Sequence, residues 1–187
     1  LACSKQHHPN CPKEAPQKSG EEEMTSIYQR ASAYHQDRFS IIEDMYHQCR
    51  ELICQKHASV MDWLKHLPYY YENDHQIFVH AGIEVIDYQP ELWKQVSTVN
   101  TYLMKYPASQ GQFYKKVIAG HIGTHQVTHQ SDFHQICCLG DFIYLDSSVI
   151  TTQFLNVLQY DCQTYRYQGL IKKNQQWQTY DIAHFNK

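Results

Sequence analysis

The chain has 187 residues, of which 42% are hydrophobic and 19% charged, a composition that excludes wholesale disorder and supports one well-buried domain or two small ones. It carries 16 lysines and arginines against 19 aspartates and glutamates, a formal charge of −3, so it lacks the basic face that binds nucleic acid phosphates. No apolar run approaches the roughly 20 residues that cross a bilayer. We therefore expect neither a nucleic acid nor a membrane as its partner.

The seven cysteines predict a reduced protein. Their number is odd, and no Cys-x-x-Cys pair occurs among them. Cys137 and Cys138 are adjacent in an apolar segment, which favours core packing over a role as nucleophile beside His134. The polar first residues contain no apolar signal core. We accordingly expect free thiols and a cytoplasmic protein.

The first part of the chain predicts a tail followed by helix. Residues 1–23 combine prolines with a run of glutamates, which predicts a mobile tail. Residues 24–57, which follow the tail, predict an amphipathic helical segment with the stripe Ile41, Met45, Cys49, Leu52 and Ile53. A second helix is expected to start near Ser59 and to stop before Pro68, and we place it with the main domain, residues 58–187.

In the second part of the chain the hydrophobic period changes to that of strands. Apolar runs predict strands at 76–80 and 116–119, with a helix over 91–106 between them. Two antiparallel hairpins are expected further on, one around Gly140-Asp141 and one around Asp161-Cys162. This order of elements predicts a mixed α/β or α+β fold, a β-sandwich flanked by helices.

Two of the expected strands end in a histidine beside a glycine. His80 follows Phe78-Val79 and precedes Ala81-Gly82, and His121 follows Val117–Gly120. Ligands and catalytic groups gather at the carboxyl ends of strands in open α/β sheets. Because neutral imidazole binds zinc, iron and manganese, the two histidines predict a shared metal site. The alternative is that each histidine only caps its strand or bonds a nearby carbonyl.

Three segments carry a resemblance to a known family. The chain contains FVHAGI at 78–83, VIAGHIGT at 117–124 and IYLDSSV at 143–149. In this order and spacing they resemble the C-terminal half of the calcineurin-like metallophosphoesterases, in particular bacterial serine/threonine protein phosphatases and symmetrical diadenosine tetraphosphatases. The resemblance covers roughly residues 58–170.

The resemblance implies a partial metallophosphoesterase-like sandwich in which His80 and His121 ligate one of two bridged divalent metal ions, manganese, iron or zinc. Two such ions about 3.5–4 Å apart activate a water and stabilise the oxygens of an in-line displacement. Asp146 would support the histidines or simply end its strand, and Lys94 would hold the substrate phosphate as a point charge. The implied substrate is phosphorylated, a phosphoprotein or a dinucleotide.

The chain departs from that family where the other ligands belong. Gly-Asp-x-His-Gly, Gly-Asp-x-x-Asp-Arg-Gly and Gly-Asn-His-Glu are absent, and residues 1–57 contain no Gly-Asp pair. Lys94-Gln95 stand where the family places an arginine, and Ser147-Ser148 replace a glycine-bearing turn. We therefore expect a phosphatase domain whose N-terminal half is missing: inactive alone, with one metal site retained, and self-associating through the apolar face left uncovered.

Other interpretations stay open, and no catalytic residue is assigned. One is an inactive phosphatase remnant that acts as a binding module. Another is a histidine-rich metal-binding protein that uses His121, His125, His129 and His134, although the intervening glycines and β-branched residues favour loop and strand over an aligning helix. Tyr69–Tyr71 would either stack on a nucleobase or line the edge of the core.

Overall fold

Ser19 begins the first helix with a capping box. Its hydroxyl accepts a hydrogen bond from the Glu22 amide at 3.3 Å, and the Glu22 carboxylate accepts one from the Ser19 amide at 2.9 Å. The computed structural model describes residues 19–173 and 176–185. Helix α1 spans Gly20–Tyr34. Of the tail predicted over residues 1–23, the part from Gly20 onward is therefore helical, and residues 1–18 lie outside the described residues.

The segment predicted as helical over 24–57 is interrupted. Asp37 accepts a hydrogen bond from the Ser40 amide at 2.9 Å and thereby starts helix α2, Arg38–Lys56. This hydrogen bond also lowers the pKa of the Asp37 carboxyl. The interruption has a simple cause, since aspartate is favoured at helix starts and disfavoured in helix interiors.

Helices α1 and α2 pack side by side as an antiparallel hairpin. Ile27 and Ala31 of α1 are buried. Ile53 of the stripe predicted on α2 is exposed, whereas the other members are half-buried: Ile41, Met45, Cys49 and Leu52. Helix α3, Ala58–Lys65, follows and contacts α2. The chain divides into two compact units between Leu67 and Pro68, so the boundary lies after α3 and not before it.

Nine strands in the described part of the second unit form two sheets. They are β1 (Tyr70–Glu72), β2 (Gln76–Val79), β3 (Lys116–Ala119), β4 (Cys137–Leu139), β5 (Phe142–Tyr144), β6 (Asn156–Asp161), β7 (Arg166–Lys173), β8 (Gln176–Tyr180) and β9 (Ala183–His184). The first sheet has the order β1-β2-β3-β5-β4-β9, with β2, β3 and β5 parallel. The second is antiparallel, in the order β6-β7-β8. The mixed α/β class is thereby confirmed.

The connection from β2 to β3 differs from the single helix predicted over 91–106. A 3₁₀ turn at Pro90–Leu92 leads into helix α4, Trp93–Val96, and helix α5 spans Val99–Met104. Thr98 separates them, because its hydroxyl accepts a hydrogen bond from an amide in the first turn of α5 and so starts a new helix. Two further short helices follow β3 and β5, α6 at Thr124–Thr128 and α7 at Val149–Thr152.

One face of the six-stranded sheet lies under the short helices. Ile77, Val117 and Phe142 project into an apolar cluster that includes Trp93 and Tyr102. Trp93 is fully buried, and its ring packs edge-on against Tyr70 with centroids 4.9 Å apart. This cluster holds the β2-to-β3 connection against the sheet, and thus the two strands whose ends carry histidines.

The other face packs against the second sheet. Ile118 and Ile143 project into a cluster to which Leu158, Tyr167 and Tyr180 of the antiparallel sheet contribute, so the two sheets form a sandwich. The cover is partial, because Phe78, which is level with Ile118 in register, keeps 36% of its surface exposed.

Both predicted hairpins are confirmed. β4 and β5 are joined through Gly140, whose φ of +70° suits glycine, and Asp141. β6 and β7 pair with Asp161 opposite Arg166. Among the described residues, none of the helices is long and apolar enough to cross a membrane.

Candidate metal site at the strand ends

Three parallel strands end at one edge of the six-stranded sheet, and each is followed by a residue of the predicted site. His80 follows β2 directly, His121 follows β3 after one glycine, and Asp146 follows β5 after one leucine. The strands are aligned in register up to their last residues. The structure therefore brings the two predicted histidines to the same edge.

The imidazole rings of His80 and His121 are neighbours. Their centroids are 5.1 Å apart and both side chains are exposed. The Gly120 amide donates to the His80 carbonyl at 2.9 Å and ties the strand ends together. With metal–nitrogen bonds of about 2.1 Å and tetrahedral angles, two imidazoles on one zinc ion have centroids roughly 5 Å apart. The observed separation of 5.1 Å is therefore compatible with two imidazoles on a single ion.

His121 has an uncommon backbone conformation. Its φ is +64°, and the Ile122 amide donates across it to the Gly120 carbonyl at 2.7 Å, an i-to-i+2 turn. For a residue with a Cβ such a conformation costs of order 1–3 kcal/mol, and such costs cluster at functional sites.

Replacing His121 with glycine is expected to give a more stable protein than replacing it with alanine, by about 1 kcal/mol, because only alanine retains the positive-φ strain. Urea unfolding of the two variants measures the difference. His80, which has no positive φ, is the matched control. There the glycine variant should be the less stable of the two, by about 0.5–1 kcal/mol. If the difference in unfolding free energy between the glycine and alanine variants has the same sign at both positions, the strain inferred at His121 is contradicted.

Asp146 shapes the loop beside the histidines. Its Oδ1 accepts the Ser148 amide at 2.7 Å, and its carbonyl accepts the Thr124 amide at 2.8 Å. The carboxylate thus orders the turn after β5, and the carbonyl fixes the start of α6. These bonds favour a role in positioning the loop that follows His121, and neither is made to an imidazole.

Lys94 lies elsewhere in the unit. Its ammonium pairs with Glu72, whose register partner Ile77 is near the amino end of β2, whereas His80 follows the carboxyl end. The hydrogen bond to Glu72 raises the pKa of Lys94. Burial opposes ionisation of Glu72, but its hydrogen bonds to Lys115 and Lys94 outweigh this and lower its pKa. The phosphate-holding role expected for Lys94 is a poor fit, because its charge is already paired.

Few of the described side chains that could ligate a metal ion lie at this edge of the sheet. Within residues 19–173 and 176–185, no three histidine, cysteine, aspartate or glutamate side chains are grouped closely enough to hold a metal ion together. A catalytic zinc site ordinarily has three protein ligands, and a dinuclear centre has more. The described residues therefore fit one ion held by two imidazoles and do not fill a dinuclear centre.

The other histidines are arranged differently from the sequence expectation. Residues 124–128 form α6 and not the loop and strand favoured by their composition, and His129 caps this helix with a φ of +57°. His121 lies outside the helix. Instead, His125 on α6 is brought to His134, with ring centroids 5.7 Å apart. Spacing along the sequence gave no sign of this pair, because it depends on how the loop before β4 folds back.

The two adjacent cysteines are core residues. Both are buried, and burial raises the pKa of Cys137 from 9.0 to about 12 and that of Cys138 to about 11. A thiol in that state is a poor nucleophile at neutral pH. Of the three tyrosines, Tyr70 packs on Trp93 at the edge of the core, whereas Tyr69 and Tyr71 keep 47% and 63% of their surface exposed.

Alkylation of the native protein with iodoacetamide at pH 8 is expected to modify Cys162, which is exposed, and to leave Cys137 and Cys138 unmodified. Because burial raises the pKa of both thiols above 9.0, the folded state should lose stability relative to the unfolded state as the pH rises above that value, where the thiols of the unfolded chain ionise. Peptide mapping by mass spectrometry gives the modified positions. Native-state modification of Cys137 at a rate similar to Cys162 would contradict the packing described.

No family model, curated protein or solved structure matches this chain. The functional interpretation therefore depends on the geometry of the site and on the resemblance of the strand-end segments.

Proposed function

We propose that the chain binds one divalent transition metal ion, manganese, iron or zinc, through His80 and His121, and that this pair is part of a metal-dependent phosphoesterase site. The observation that carries the proposal is the placement of two exposed imidazoles 5.1 Å apart at the ends of adjacent parallel strands. That edge is where open α/β sheets bind ligands. The metallophosphoesterase-like sandwich is the finer fold assignment that goes with this function.

The two histidines have a defined chemical task in this proposal. Each must be neutral to donate a ring nitrogen to the ion, and the turn at Gly120–Ile122 holds the His121 ring beside His80. A bound ion would polarise a phosphoryl oxygen and lower the pKa of a bound water. The Asp146 carboxylate orders the adjoining loop. The substrate class is a phosphomonoester or related phosphoester, and a complete dinuclear site would need ligands in addition to the described residues.

The test combines metal binding with binding of inorganic phosphate. Isothermal titration with manganese or zinc should show a site that depends on His80 and His121, and inorganic phosphate should bind only after the metal is added. Hydrolysis of p-nitrophenyl phosphate by this chain alone should stay at background, because two protein ligands do not complete a dinuclear site. If the chain does not bind metal through these histidines, the proposal is contradicted. If this chain alone hydrolyses the substrate when metal is added, the expectation that its site is incomplete is contradicted.

A further inference from the structure

Two histidines away from the strand-end pair form a second cluster. His125 lies on α6 and His134 on the loop that leads into β4, with ring centroids 5.7 Å apart and planes inclined by 60°. The Nδ1 atom of each ring is buried and has no hydrogen-bond partner among the described residues. These are two unpaired polar atoms of the same kind, on neighbouring rings, in one small region of the structure.

Buried imidazole nitrogens ordinarily have a hydrogen-bond partner or a bound metal ion. A buried polar nitrogen without a hydrogen bond costs about 1–3 kcal/mol, and native proteins satisfy nearly all of them with protein groups, water or an ion. The two rings do not bond to each other, although one tautomer could donate to the other. Because the two rings are neighbours, a single ion bound between them is one way to give both nitrogens a partner. Two neutral imidazoles are the preferred ligands of zinc and its neighbours in the first transition series.

We infer that His125 and His134 form a second binding site, for a zinc-like divalent ion held by the two Nδ1 atoms. The ring separation of 5.7 Å agrees with two imidazoles on one ion, whose centroids lie roughly 5–6 Å apart as the ligand angle opens from tetrahedral. Water or solvent oxygens complete the coordination. This site is separate from the one that His80 and His121 provide and does not depend on the phosphoesterase proposal.

The separation of the two sites follows from the same coordinates. If all four histidines surrounded one ion, the described residues would contain a group of three or more ligating side chains, and they contain none. The two pairs lie on different structural elements, since His80 and His121 follow strands while His125 is on a helix. The two pairs are therefore two separate candidate sites.

The second pair is held in place by the surrounding structure. Asn156 of β6 donates to the His134 carbonyl at 2.7 Å and to the Leu145 carbonyl at 3.1 Å, which fixes the loop that carries His134. On the other side Gly123 leaves room for His125, because a Cβ at residue 123 would lie 2.7 Å from the His125 Nδ1. The same Cβ would lie 2.9 Å from the Ser148 hydroxyl, so the side chains of His125 and Ser148 both pack against Gly123. Rings held in this way lose little freedom when an ion binds.

Nuclear magnetic resonance of the histidine side chains tests the inference on the unmodified chain. Zinc is added to the ¹⁵N-labelled protein, and the Nδ1 resonances of all histidines are followed. We expect the Nδ1 signals of His125 and His134 to shift together and saturate at one zinc concentration. Shifts confined to Nε2 atoms, different saturation points for the two rings, or no shift at either ring would overturn the inference and leave water as the partner of these nitrogens.

Variants add an independent check on the same site. His125→Gln or His134→Gln should weaken zinc binding there by at least about tenfold, and His129→Asn is the matched control because asparagine tolerates the positive φ of that exposed position. Gly123→Ala should weaken the site as well, through displacement of the His125 ring. Zinc bound by His80 and His121 should be unchanged in all four variants, so failure of this site is distinguishable from failure of the first. Equal effects of the His129 and His125 substitutions would contradict the site.

Discussion

Replacement of His80 or His121 with alanine is expected to weaken binding of zinc or manganese at the strand ends by about 10- to 100-fold, because either change removes one of the two imidazoles that the site provides. Isothermal titration of the purified variants measures the loss. The rings are exposed, so neither change removes core packing. Far-ultraviolet circular dichroism of both variants should match that of the unaltered chain.

His75 provides the matched control for this experiment. It lies just before β2, at the opposite end of the strand that carries His80, and it is also exposed. His75→Ala should leave the affinity at the strand-end site unchanged. A loss of affinity in the His75 variant comparable to that in the His80 variant would mean that zinc binds to exposed histidines in general, and the proposed site would be contradicted.

Replacement of Trp93 with alanine is expected to lower the free energy of unfolding by about 3–5 kcal/mol. The indole is fully buried, donates from Nε1 to the Tyr114 hydroxyl at 2.9 Å, and packs edge-on against Tyr70 and Tyr102. Its removal leaves a cavity under the β2-to-β3 connection as well as an unpaired hydroxyl. Urea unfolding followed by circular dichroism measures the change.

Two further substitutions keep this prediction open to contradiction if the alanine variant fails to fold. Trp93→Phe fills most of the space and should cost less than the alanine change, about 1–3 kcal/mol. Trp177→Ala alters a tryptophan with 51% of its surface exposed in the same unit and should change the free energy by no more than about 0.5 kcal/mol. If Trp177→Ala lowers the free energy of unfolding by more than Trp93→Phe does, the described core is contradicted.

The strands were the most predictable part of the fold. Lys116–Ala119 is the strand expected from the apolar run Val117–Ala119 before a glycine, and the hairpin at Gly140-Asp141 follows from the turn chemistry of glycine. The adjacency of β2 and β3, and hence of the two histidines, could be expected from the rule that consecutive parallel strands pair through a crossover. That rule explains why the proximity of His80 and His121 could be expected from the sequence.

The helices were less predictable because single polar side chains decide where they start. Asp37 and Thr98 each cap a new helix inside a stretch whose apolar spacing suggested continuity. In the sequence, both residues were compatible with an exposed position in a longer helix. Only the backbone around them shows that their side chains accept hydrogen bonds from the following turn.

The histidine pair at 125 and 134 depends on tertiary structure. The glycines and β-branched residues around His125 favoured loop or strand, yet residues 124–128 form a helix whose Thr128 hydroxyl donates to the Thr124 carbonyl at 2.8 Å. The partner ring comes from a loop that Asn156 holds from another sheet. No local sequence pattern indicates such a long-range hydrogen bond, so the proximity of the His125 and His134 rings is evident only from the three-dimensional structure.

The central claim is that His80 and His121 bind the same ion, and a double-mutant cycle tests it most directly. Zinc affinity at the strand-end site is measured for the His80→Ala and His121→Ala variants and for the protein with both changes. If the two rings share one ion, the second substitution adds little to the first, and the double variant binds within about twofold of the weaker single variant. A site that still binds zinc with unaltered affinity in either single variant, as two independent sites would leave, would contradict the claim.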